Sequence, residues 1–162
     1  MAEFKLPRVQ VAQRVSKPVE PLPLESWRRV WREGFGPVLS VGGLLKLREA
    51  LLGDDGRLLQ GATTSPPPLM CVESWPVEAC CAIGFCGWQG EGLHNVGEVE
   101  EYFARCCLEA DWHLGEGAAC RWFLNWFDDT PREEMRRELL GEVDRSLAMH
   151  AMPNQAETSV AK

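Results

Sequence analysis

From Trp27 to Leu147 the apolar residues recur three and four positions apart in one segment after another, and no stretch alternates apolar with polar for more than a few residues. Spacing of that kind lines up side chains on one face of an α-helix, so the chain is confined to a mainly α fold. The first stripe is Trp27, Val30, Trp31 and Phe35, with Arg28, Arg29 and Arg32 lying off it and Gly34, Gly36 and Pro37 ending it. Ser40 is placed to N-cap a second helix whose inner face is Leu44, Leu47 and Leu51, with Arg48 on its flank, before Gly53 and the turn Asp54-Asp55-Gly56. Arg57 to Gln60 reads as a short extended piece.

Proline sets the limits of the helical region. Pro7, Pro18, Pro21 and Pro23 deny residues 1–23 a helical period, since proline fixes φ and removes a donor, and the expected form is an extended arm. Lys5, Arg8, Arg14 and Lys17 make that arm mildly basic. Pro66-Pro67-Pro68 excludes helix again, and the segment is expected to lie as a loop across one domain, the part before it being too short to bury a core alone.

Downstream, Val77, Cys80, Cys81 and Gly84 follow helical spacing after Trp75-Pro76, so the first cysteine pair is expected on a helix. Glycines from Gly84 to Gly97 predict a flexible connection, and Val99, Phe103, Cys106, Cys107, Ala110 and Leu114 the next helix, with Glu101 and Arg105 outside. Residues 118–127 predict a short aromatic helix, apolar nearly all round and thus the most buried, with Trp122 and Trp126 in the core. Thr130-Pro131-Arg132-Glu133 has the pattern of a capping box. A helix should run from it to about Ala148, with Met135, Leu139, Val143 and Leu147 inward and Glu133, Arg137, Glu142 and Arg145 in water. The expectation is one compact domain of about five or six helices over residues 24–149, an extended N-terminal arm over 1–23 and a flexible tail over 150–162.

Composition narrows the function classes. With 45% hydrophobic and 25% charged residues the chain is of ordinary globular type, and its 162 residues suffice to bury roughly 70% of the unfolded surface without disulfides. No apolar run spans a bilayer and the start lacks the apolar core of a signal peptide, so a cytoplasmic protein without membrane contact is expected. A net charge of −7 argues against binding a nucleic-acid backbone. The seven cysteines are odd in number and include the adjacent pairs Cys80-Cys81 and Cys106-Cys107, which favours reduced thiols over a disulfide framework.

All seven cysteines lie between Cys71 and Cys120, and any chemistry would belong there. Cys106 and His113 share a helix face, and with Cys120 they form a metal candidate that would take zinc or iron; otherwise no cofactor is expected. A thiol enzyme would use Cys86, with His94 or His113 as base and Asp111 as its support. Gly87-Trp88-Gln89-Gly90-Glu91-Gly92 lacks the lysine and hydroxyl ending of a phosphate loop. Asp128-Asp129 is best explained by the helix start that follows, and Arg132 and Arg136-Arg137 as solvated charges. Without a convergent catalytic set, the expected function is a non-enzymatic interaction or accessory protein, binding a protein partner or a second copy. Its contact residues would be Trp88 in the glycine-rich loop, Pro66, Pro67 and Pro68, and Arg8 and Arg14 of the arm.

Overall fold

The computed structural model describes residues 21–70 and 73–152, so Arg8, Arg14, Cys71 and the segments 1–20 and 153–162 lie outside the described residues. Among those described, six helices enclose one core and the only strands form a two-stranded ladder. Helix α1 (27–38) is α-helical at each end with a π-helical turn, Val30–Phe35, between. α2 is Val41–Gly53, α3 is 82–90 with a π-helical second half (Cys86–Gly90), α4 is Val96–Leu114, α5 is Arg121–Asp129 and α6 is Arg132–Ala151. Strands β1 (Thr64–Ser65) and β2 (Ala79–Cys80) pair antiparallel, Thr64 opposite Cys80.

Local signals account for several of these elements. Ser40 accepts from the Gly43 N–H at 3.0 Å and so caps α2, which ends on Asp54 in the left-handed region at φ 49°. α4 opens on a capping box: Asn95 accepts from the Glu98 N–H at 2.9 Å while Glu98 accepts from the Asn95 N–H at 3.3 Å. Leu44, Leu47 and Leu51 of α2 and Met135, Leu139 and Val143 of α6 are buried as their periods predict. α2 packs along α6 and across the second half of α3, while α4 lies against the π turn of α1. At the centre Phe123 meets Trp31, Phe35 and Phe127 at ring-centroid distances of 5.2, 5.4 and 6.0 Å.

Other expectations are corrected. Gly34 and Gly36 do not end the first helix, which continues to Val38 because both glycines are buried where α4 and α6 approach. Cys80 lies on β2 and Cys81 caps α3, since Pro76 withholds a donor and the Cys80 N–H and C=O bond to Arg57 O and Leu59 N at 2.9 and 2.7 Å. Glycine marks a packing seam here rather than a flexible connection. A Cβ at Gly90 would stand 2.6 Å from Gly43 N, and one at Gly87 would stand 2.5 Å from the Tyr102 ring, so only hydrogen lets α3 approach α2 and α4 this closely. Ser40 also donates to Glu91, fastening the end of α3 to the start of α2.

Nor does the Thr130 capping box form: α6 has no side-chain cap, and the Thr130 hydroxyl instead donates back to Trp126 O at 2.6 Å, closing α5. α5 buries only Phe123 and Phe127; Trp122 is half-buried under Arg121, and the half-buried Trp126 stacks on Trp27 at 3.6 Å. Asp128 accepts from Gly61 N at 2.9 Å and so binds the loop. Arg132 donates to Asp54, Leu58 O and Asp55 O, and Arg136 to Leu51 O and Leu52 O, so both serve the carbonyl end of α2. Most consequential is Glu142, which is 3% exposed and not in water. It accepts from Arg28 at 2.8 Å and from Arg32 at 2.8 and 2.9 Å, joining α1 to α6.

Candidate functional site

The six described cysteines are all free. Cys80, Cys81, Cys86 and Cys106 are buried and fill the core as small apolar groups. Cys86 has no exposed surface, and burial first, then Cys106 and Cys81, pushes its thiol well above the ordinary range. The expected nucleophile is therefore a closed, protonated thiol. His94 and His113 are both exposed, and among the described residues neither imidazole is hydrogen-bonded to it.

The expected metal set also does not assemble. Cys106 is buried beside Tyr102, His113 is exposed and Cys120 is half-buried. Positions 106 and 113 share a helix face but lie two turns apart, about 10 Å along the axis, too far for one ion at ordinary bond lengths. Among the described residues no group of three His, Cys, Asp or Glu side chains converges. Cys120 pairs instead with Cys107. The Cys107 thiol donates to it and thereby lowers Cys120, against burial and Asp111, while the same bond and burial raise Cys107. Asp111 accepts from the Cys120 and Ala118 N–H groups at 2.8 and 2.9 Å, holding the turn before α5 against α4.

Of the expected contact residues, Trp88 is half-buried, set edge-on to Phe85 at 5.8 Å and covered by the Arg57 guanidinium at 5.4 Å. These two contacts cover part of that indole. Pro66 is half-buried and Pro67 and Pro68 are exposed, on a loop tied to α4 by the Thr64 hydroxyl, which donates to Glu100 at 2.7 Å.

A cavity of about 650 Å³ lies between α1 and α6, with Leu22 in its lining. Its walls carry Arg29, Arg32, Arg145 and His150. Internal partners engage most of that charge: Glu33 at 3.2 Å from Arg29, Glu142 at 2.8 Å from Arg32, and Gly36 O at 2.9 Å from the His150 Nε2.

An outward-facing surface on α4 went unmarked by the cysteine, proline and glycine signals. Leu108 is 70% exposed and Trp112, one turn later, 83%. Ala104 continues the same row one turn earlier and is exposed, and beside it runs a second exposed row, Glu101, Arg105, Glu109 and His113. The inner face is meanwhile filled by Val99, Tyr102, Cys106 and Ala110. Leu108 and Trp112 are thus surplus to the stripe that folds the helix, which is the signal that finds them in the sequence.

No protein-family model, curated protein or solved structure matches the chain. Among the described residues no helix is long and apolar enough to cross a membrane.

Proposed function

We propose that this is a non-enzymatic interaction protein that docks a protein partner on the outer face of α4. The observation that carries the proposal is Trp112, 83% exposed beside Leu108 at 70%. Tryptophan offers the largest apolar area at small entropic cost and is enriched where protein surfaces meet, while a leucine one turn away supplies a second anchor. The cap at Asn95 and the packing of α4 on α1 hold the pair on a rigid element, so little ordering opposes docking. Free thiols suit a reducing, cytoplasmic setting for such a protein. Pro68 is exposed on a loop tied to α4 and would form a rim.

A photo-cross-linking residue placed at position 112 of the full chain, expressed in its own cells, tests the reading, with Glu134 on α6 as an exposed control position. Expected is a discrete polypeptide, this chain or another, captured from 112 and not from 134, and lost when Leu108→Asp is added. Identical products from both positions, or capture indifferent to Leu108→Asp, would refute it.

A further inference from the structure

Resting on the docking face just proposed, the pattern along α4 identifies its occupant: we infer that the partner is a second copy of this chain, its α4 antiparallel to the first about a two-fold axis near Leu108. The row Ala104, Leu108, Trp112 runs small, medium, large at one-turn intervals, and all three side chains are exposed. A two-fold axis at 108 sets Leu108 on Leu108 and each Trp112 over the Ala104 of the other copy, where a methyl group leaves room for an indole. The same operation brings the charged rows side by side. With about 1.5 Å of rise per residue, Arg105 of one copy stands about 3 Å along the axis from Glu109 of the other, within reach of two long side chains. Glu101 comes similarly near His113. A two-fold parallel pairing would instead carry the two charged rows to opposite sides of the seam, where neither meets the other, so the match of Arg105 to Glu109 selects the antiparallel arrangement. One helix face falls short of the area of a permanent dimer, and the expected Kd is on the order of 10–100 µM.

Sedimentation equilibrium of the full chain from about 5 to about 500 µM reads the association directly. Expected is a reversible dimer, weakened at least tenfold by Ala104→Trp and by Trp112→Glu, both at exposed positions, with helicity by circular dichroism unchanged. Arg105→Glu and Glu109→Arg should each weaken it as well, since each sets like charges opposite one another. An equimolar mixture of those two variants should associate again, its cross-pairs being of opposite sign. A monomer throughout the range, a dimer indifferent to these changes, or no recovery in the mixture would overturn the inference. If the chain stays monomeric while position 112 captures a different polypeptide, only this pairing fails; if neither occurs, the docking face fails too.

Discussion

Replacing Glu142 with glutamine removes one charge and almost no volume, and so isolates the ionic junction between α1 and α6. Truncating one partner of a buried ion pair costs about 3–5 kcal/mol, because the other charge is left without compensation. Here the two guanidinium partners, Arg28 and Arg32, are 31% and 33% exposed, and Arg28 keeps Glu138 at 2.7 Å. Water and Glu138 therefore recover part of the loss, and the amide oxygen still accepts one hydrogen bond. We expect Glu142→Gln to cost about 2 kcal/mol, a fall in Tm of about 4–8 °C for a chain of this size. Arg48→Ala, which breaks the exposed pair with Asp144, should cost less than about 1 kcal/mol.

The pH dependence supplies an independent check. Burial raises the Glu142 carboxyl, but hydrogen bonds from Arg32 and Arg28 outweigh it and leave the folded value below the ordinary 4.5. Its contribution is therefore complete above that ordinary value and is lost as pH falls through the lowered folded one. Urea denaturation should show the gap between the native chain and Glu142→Gln widest near neutrality and narrowing toward about pH 3. A gap below about 0.5 kcal/mol at pH 7, or one that does not narrow in acid, would refute the reasoning.

Ser146→Ala should cost about 1–3 kcal/mol by leaving the buried Trp31 indole N–H, now 2.8 Å from Ser146 Oγ, without an acceptor, as read by denaturant midpoint. Gly90→Ala should lose about 2 kcal/mol or more, because a Cβ there meets the Gly43 backbone, whereas Gly141→Ala, in open space on α6, should gain about 0.5–1 kcal/mol by thermal melting. Mass-resolved alkylation should label Cys120 first among the described thiols. Cys106 and Cys81, pushed up to about 11 and about 12 by burial, and the enclosed Cys86, should react only on unfolding, and early labelling of Cys86 would contradict its closure.

What the sequence discloses follows the range of the interactions involved. α2 is legible because its cap at Ser40 and its stripe Leu44, Leu47, Leu51 are local, and α6 because Met135, Leu139 and Val143 keep their period for two turns. The Asn95 and Glu98 capping box is equally local, and is hidden only because the surrounding glycines suggest a loose connection. The rest depends on chain segments distant in sequence. Cys80 mimics helical spacing, yet its backbone bonds are taken by Arg57 and Leu59; Glu142 resembles a solvated charge until Arg28 and Arg32 arrive from α1. Trp88 sits among glycines but finds Phe85 and Arg57. Trp112, by contrast, is legible as an apolar residue for which the helix has no inward position.

Hydroxyl-radical footprinting of the tryptophans, in dilute purified protein and in intact cells, tests the docking face most directly. Trp75, half exposed and away from α4's outer row, serves as the internal reference. Trp112 should oxidise at least as fast as Trp75 in the dilute protein and be protected several-fold relative to Trp75 in cells. Equal relative oxidation of Trp112 in both settings would contradict the docking face.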